Sequence, residues 1–266
     1  MGKAAQKNQR RLFWKWIFAL SAALVLMVAL AVSVKGCVPK DTPETPQEKP
    51  FTGEDFAWEN GRLTCLSRES VPGIDVSYYQ GEIDWEQVKA SGVEFAFIRL
   101  GYRGAKDGIL HEDEKARVNL QNAKASGVKI GAYFFSQAVT AEEAREEAAF
   151  ALEILGQTSL DLPLTYDWEY MDTAARTDGM TSEALMQCVN AFCETVEASG
   201  NTAMVYFNLD LANTLLDVPN LGNRPIWFAM YDQAPALTPD YWQYTDEGTV
   251  PGIEGFVDLN LYFPQK

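Results

Sequence analysis

Ala90–Gly101 reads ASGVEFAFIRLG, and the phrase returns as ASGVKIGAYFF at Ala125–Phe135 and as ASGNTAMVYFN at Ala198–Asn208. Each copy closes a helix-like stretch, offers a glycine (Gly92, Gly127, Gly200) suited to a left-handed stop, and then runs into a mostly apolar strand. Near-continuous apolar strands alternating with amphipathic helices belong to a parallel sheet covered by helices. Working outward, helices are expected near 84–91, 113–126, 140–155 and 181–199. Strands are expected near 73–77, 94–100, 128–135, 162–168, 202–207, 225–230, 241–244 and 255–259. About eight strands in about 195 residues fit a small β/α barrel better than a doubly wound sheet. The last strands come too close together for full helices between them, which predicts an α/β barrel, TIM-like but irregular at its C-terminal end.

Composition narrows the chemistry. The 266 residues carry a formal charge of −15, and it is unevenly placed. Residues 1–50 hold 8 Lys/Arg against 3 Asp/Glu, whereas residues 51–266 hold 14 basic against 34 acidic residues, a net −20. Such a domain is a poor partner for nucleic acid, whose phosphates need clustered Lys and Arg. His111 is the only histidine, so two-His zinc motifs have no material, and no GxSxG elbow accompanies it. No Lys precedes Ser or Thr, which excludes a Walker A loop. No metal and no cofactor are called for. Carboxylates, hydroxyls and aromatic rings must do the work.

The pattern divides the chain into four segments. Residues 1–15 form a basic tail with Lys3, Lys7, Arg10, Arg11 and Lys15. Residues 16–34, WIFALSAALVLMVALAVSV, carry no charge; as a helix they span roughly 28 Å, close to a bilayer's hydrocarbon thickness. The basic flank places the tail in the cytoplasm and residues beyond 34 outside, so a single-pass anchor in the cell membrane is expected. A cleaved signal peptide is the alternative, with an apolar region of about 7–15 residues, and Gly36–Cys37 offers a faint lipoprotein-like site. Residues 35–71 are a linker and lead-in: Pro39, Pro43, Pro46 and Pro50 punctuate the first part, while Phe56, Trp58, Leu63 and Leu66 could pack on the domain or stay loose. Residues 72–266 form the catalytic domain. Cys188 and Cys193, five apart on a helix, point to different sides and should not bridge.

In barrels of this type reacting residues sit at the C-terminal ends of strands. Those ends carry Asp75 and Ser77, Arg99, Tyr133 and Ser136, Asp167 and Glu169, Tyr206 and Asn208, Trp227 and Tyr231, Gln243, and Asp258. Asp167 and Glu169 are two apart and project to one face of a strand. Carboxylates held close cannot both ionise easily, so one keeps its proton and can donate it to a glycosidic oxygen, while another stabilises the oxocarbenium ion. Tyr133, Tyr206, Trp227 and Tyr231 could stack on sugar rings or simply fill the barrel. Arg99 fits either a catalytic carboxylate or a structural ion pair. The loop DGILHEDE at 107–114 lacks calcium-loop spacing and reads as a helix cap at Asp113, with His111 exposed. The acidic stretch AEEAREEAAF at 141–150 reads as a solvated helix face.

These residues also carry a resemblance. The run GIDVSYYQGEIDWEQVKASGVEFAFIRLGYRG from Gly73, DLPLTYDWEY from Asp161, and YWQYTDEGTVPGIEGFVDLNLYF from Tyr241 resemble glycoside hydrolase family 25, the N-acetylmuramidases often called Chalaropsis-type lysozymes. The likeness runs from about Pro72 to Phe263. It implies a flattened, incomplete β/α barrel that hydrolyses the β-1,4 bond from N-acetylmuramic acid to N-acetylglucosamine, with peptidoglycan glycan strands as partner. By motif, Glu169 resembles the general acid. Asp167 is its D-x-E companion, Asp75 the G-x-D-V-S aspartate and Asp258 the V-D-x-N aspartate. The family is usually treated as retaining, with the substrate's acetamido group as internal nucleophile oriented by Asp167. One departure is a third-strand motif often G-x-Y-H-F, here Gly131-Ala132-Tyr133-Phe134-Phe135. A chitin-type glycosidase and a wall-binding domain without turnover remain the competing functions.

Overall fold

Along Phe95–Arg103 (β4), Phe95 and Phe97 join one buried cluster while Ala96, Ile98 and Leu100 join another. A strand buried on both faces in this way is the unit of a barrel. The structure, a computed structural model, describes residues 50–59 and 61–264. Eight strands close the wall: β3 (Val71–Val76), β4, β6 (Lys129–Ser136), β7 (Leu164–Trp168), β8 (Ala203–Asn208), β9 (Ile226–Ala229), β10 (Tyr241–Gly248) and β11 (Val257–Tyr262). Closure comes from β3 pairing with both β4 and β11. A short β5 (Leu110–Glu112) is added antiparallel to the end of β4.

All eight expected strands are present, and the expected helices are α1 (Trp85–Ala90), α2 (Ala116–Ala125), α3 (Ala141–Leu155) and α4 (Ser182–Ala198). Asp84, Thr140 and Thr181 cap α1, α3 and α4, each side chain accepting a backbone N–H three residues on. A one-turn-and-a-half helix α5 (Leu209–Thr214) comes after β8, and no α-helix separates β9, β10 and β11. The irregularity expected at the C-terminal end is therefore present. One expectation needs correction: the last strand runs antiparallel to both neighbours, β10 and β3. Asp258 lies near its beginning rather than its end, and reversal of the strand brings it to the rim, opposite Asp75.

The barrel has two cores. Between wall and helices, Ile98, Ala132, Tyr166, Val205 and Phe207 pack against α-helical residues such as Ala148, Val189 and Phe192. Inside it, Phe95, Phe97, Met204, Trp227 and Tyr241 form an aromatic plug, with Phe97 stacked on Trp227 at 4.6 Å. Glycines make room for that plug: a Cβ on Gly73 would lie 2.3 Å from the Phe95 ring, and one on Gly131 would lie 2.4 Å from Phe97. Phe134, where the resemblance has histidine, faces outward against Phe150, so this position does not reach the barrel interior.

Residues 51–71 pack against the barrel. A hairpin of β1 (Phe56–Glu59) and β2 (Arg62–Cys65) covers the outer face of β10 and β11, where no helix lies, with Phe56 4.8 Å from Trp242 and Phe51 4.7 Å from Phe263. Arg62 donates to Ser91 O and Oγ beyond α1. The expected membrane span at 16–34 lies outside the described residues; among those described, no helix is long and apolar enough to cross a membrane. Cys65, Cys188 and Cys193 are free thiols.

Candidate active site

Four carboxylates from three strands meet in a cleft of about 570 Å³ above the aromatic plug. Asp75 comes from β3, Asp167 from β7, Asp258 from β11, and Glu169 from the first residue beyond β7. Asp75 and Asp167 are buried, while Glu169 and Asp258 are half-buried. Tyr133, Tyr206, Trp227 and Tyr231 also line the cleft. Every residue singled out from the strand ends as catalytic or sugar-binding is thus brought to one place. Their exposures differ: Trp227 is 1% exposed and Tyr133 and Tyr206 are buried, so these three form the floor, and Tyr231 reaches higher.

Asp75 is held by a hydrogen-bond chain. Gln243 Nε2 and Asn260 Nδ2 both donate to its Oδ2, at 2.9 and 2.8 Å. Tyr206 and Tyr231 hydroxyls donate to Gln243 Oε1 at 3.0 and 2.8 Å, and Trp227 Nε1 donates to Asn260 Oδ1 at 2.8 Å. These donors leave each amide one orientation, with its NH₂ on Asp75. The strand-end residues read as sugar platforms therefore also serve as anchors for an aspartate. Nothing in the sequence shows that Asn260, the fourth residue of the V-D-x-N motif, reaches Asp75 across an antiparallel pair.

The four carboxylates compete for protons. Burial raises Asp75 to about 6, with the two amide hydrogen bonds pulling the other way and the Glu169 charge adding to the rise. Burial and then the Asp258 charge raise Glu169 to about 7. Asp258 rises to about 8 through burial, Asp75 and the exposed Asp246. Asp167 is pushed well above the usual carboxylate range by burial and then by the Glu169 and Asp75 charges, with Arg99 opposing the rise. Its Oδ1 is buried without a hydrogen-bond partner among the described residues. The cluster thus holds at least one proton near neutrality, as an acid catalyst requires.

At the other end of the cleft, Arg99 Nε pairs with buried Asp113 at 2.8 Å. The ion pair is structural, and its guanidinium sits 5.0–5.5 Å from the rings of Tyr78, Tyr79 and Tyr102. Tyr79 is 72% exposed and packs against Tyr78 with ring centres 4.2 Å apart, an open aromatic surface invisible at the strand ends because both tyrosines lie in a turn after β3. Asp113 precedes α2 and accepts from Lys115 N and Tyr78 N as well. His111 is half-buried against Tyr102 at 4.9 Å, a correction to its expected exposure: pairing of β5 with β4 covers it. The helix face at 141–150 is corrected too. Glu142 and Glu146 are exposed, but Glu147 is fully buried and Glu143 pairs with Arg176.

Among the described residues no group of His, Cys, Asp and Glu is arranged to hold a metal ion. Comparison with known proteins agrees with the geometry. The profile of glycosyl hydrolases family 25 matches residues 74–253. Lysozyme M1 of Streptomyces globisporus is 29% identical over 263 residues, covering 91% of this chain and 87% of that protein. An autolytic lysozyme of Clostridium acetobutylicum is 29% identical over 200 residues, and the match spans 72% of this chain but only 56% of its own length. The crystal structure of a bacterial lysozyme from Streptomyces coelicolor superposes with a TM-score of 0.64 at 27% identity, covering 74% of this chain and 94% of that one. With its barrel, its carboxylate cleft and a profile match over most of its length, the chain belongs to glycosyl hydrolases family 25 and is a glycoside hydrolase.

Proposed function

We propose that the enzyme is a muramidase that cleaves the β-1,4 bond between N-acetylmuramic acid and N-acetylglucosamine in peptidoglycan. The observation that carries this reading is the carboxylate cluster: Glu169, half-buried and raised to about 7, lines one cleft with Asp167, Asp258 and Asp75. Glu169 donates its proton to the leaving glycosidic oxygen. Asp167 Oδ1, without a partner in the free protein, accepts the N–H of the substrate's acetamido group, and positive charge developing on the sugar ring draws Asp167 into its ionised form. Asp75, fixed by Gln243 and Asn260, is the carboxylate that keeps its charge most readily and supplies a stationary negative field below the ring. Tyr231 and the exposed Tyr79 offer faces to the sugars.

The N-terminal sequence supports a tethered form of this enzyme. Residues 16–34 have the length and apolarity of a membrane span, and the basic residues before it favour a catalytic domain outside the cell membrane. Since residues 51–71 pack on the barrel, the spacer is about residues 35–49; extended at about 3.1 Å per residue, a Pro-rich segment of that length reaches roughly 45 Å. The enzyme would then act on membrane-proximal glycan.

Mass spectrometry of products from purified peptidoglycan digested by residues 50–266 tests the activity. Reducing-end muramic acid is expected; reducing-end glucosamine would assign a different glycosidase, and the absence of products would favour a wall-binding domain. Fractionation of intact cells tests the tether. The protein should remain with membranes and be cut by external protease, and recovery from culture fluid starting at or after Cys37 would overturn it.

A further inference from the structure

Behind the cleft, a buried polar cluster joins β6 to α3, and the proposed hydrolysis makes no use of it. Glu147 is 0% exposed; its Oε2 accepts from Ser136 Oγ at 2.6 Å, and its Oε1 accepts from Arg103 Nε at 2.8 Å and Gln137 N at 3.3 Å. Taking a carboxylate and a guanidinium out of water is costly unless nearly every lone pair and N–H is matched, as here. Gln137, also 0% exposed, is the hub. Its backbone N–H meets Glu147, and its carbonyl accepts from Arg176 Nη1 at 3.1 Å. Its Oε1 accepts from the Thr177 hydroxyl at 2.9 Å, which leaves the side-chain NH₂ as donor toward Glu169 O at 3.3 Å. Arg176 is itself clamped by two bonds to Glu143.

The location gives this hub its meaning. The ladder between β6 and β7 ends at the pair Ser136↔Trp168. Glu169 is the first residue past it, where the paired ladder stops. There the Gln137 side chain, one residue past Ser136 on β6, holds the Glu169 carbonyl.

We infer that Gln137 is a positioning residue for Glu169: its side-chain amide holds the Glu169 peptide so that the carboxyl stays within reach of the glycosidic oxygen. This rests on Glu169 being the general acid. A misplacement of about 1 Å can cost about 10²-fold in rate. A positioning defect should hurt only reactions that need the proton. A dinitrophenyl glycoside of the same sugar expels a stable phenolate without one, whereas a natural glycan linkage does not.

The test therefore compares kcat and KM of Gln137→Met on glycan strands and on that aryl glycoside, beside Glu169→Gln and a melting curve. Expected for Gln137→Met is a fall in kcat on glycan of about 10- to 100-fold with KM nearly unchanged, and less than about threefold on the aryl glycoside. An equal fall on both substrates, or none on glycan, overturns the inference. Thr177→Val covers the case in which Gln137→Met does not fold; it removes only the hydroxyl that orients the amide and should give a smaller loss with the same substrate dependence. If Glu169→Gln itself loses both activities equally, the acid assignment falls and this inference with it. If only Glu169→Gln spares the aryl glycoside, the acid stands and Gln137 is merely structural.

Discussion

The side of the cleft built from β6 to β8 and the side built from β9 to β3 obey different rules. On the first, each strand is parallel to the next and backed by a helix, and the carboxylates Asp167 and Glu169 stand at a strand tip. On the second, strands succeed one another without α-helices, β11 reverses direction, and Asp75 is gripped by Gln243 and Asn260, which are oriented in turn by Tyr206, Tyr231 and Trp227. The first side leaves an aspartate oxygen unmatched, whereas the second matches its donors and acceptors around Asp75. The first side is prepared to give and take protons, and the second holds the Asp75 charge in place. A regular βα repeat leaves strand tips unencumbered, while an antiparallel pair lets side chains from both strands meet at one oxygen.

The largest effect should come from the first side. Glu169→Gln should lower kcat by about 10²–10⁴-fold with folding intact, measured by glycan turnover beside a melting curve. Turnover near that of the unaltered enzyme would remove Glu169 from the acid role and erase the contrast. A smaller effect is expected on the second side, and it should fall on stability as well as rate. Asn260→Leu strands the Trp227 N–H and removes one of two donors to Asp75, at a cost of about 1–3 kcal/mol in a chemical denaturation curve. Because that donor holds the Asp75 pKa down, losing it should also move the acid limb of the pH–rate profile upward. An unshifted limb would mean that Asp75 need not be charged.

The mildest test is pH. Glu169 and Asp258 have folded-state values raised to about 7 and about 8, above those of an unfolded chain. The folded protein therefore binds protons more tightly. Their contribution to stability is fully present below about pH 4 and is lost as pH rises through 7 to 8. Melting temperature should decline over that window, and Glu169→Gln should flatten the decline. Activity should fall above about pH 7 as Glu169 loses its proton. A melting temperature that rises from pH 4 to 8 would contradict the raised values.

Much of the fold was legible in residue order. The ASG phrases mark three helix-to-strand turns, and the eight strands stand within a few residues of their expected positions, because apolar runs and glycine stops are local signals. Asp75, Asp167, Glu169 and Asp258 could be found from strand ends and motif spacing. Less visible were groups whose partners are far along the chain. Gln137 meets Glu169 and Thr177 across 32 and 40 residues, and Asn260 meets Asp75 across 185. The stretch at 141–150 looked like a solvated acidic face because charge alone does not tell Glu147, turned inward to Arg103 and Ser136, from Glu146, turned largely to water.

Sequence by itself determined the repeat, the barrel, the acidic character of residues 51–266 and the identity of the four cleft carboxylates. Periodicity, turn residues and composition act over a few residues, and each is written directly in the chain. Tertiary structure alone decided that the last strand runs backward, that a lead-in hairpin covers the outer face of the helix-free strands, that aromatic residues form the floor, and which amides hold Asp75 and Glu169. Those outcomes depend on closure of the wall. Only when β3 meets both β4 and β11 do residues from opposite ends of the chain share one buried volume, where burial and mutual repulsion change how readily each carboxyl gives up its proton.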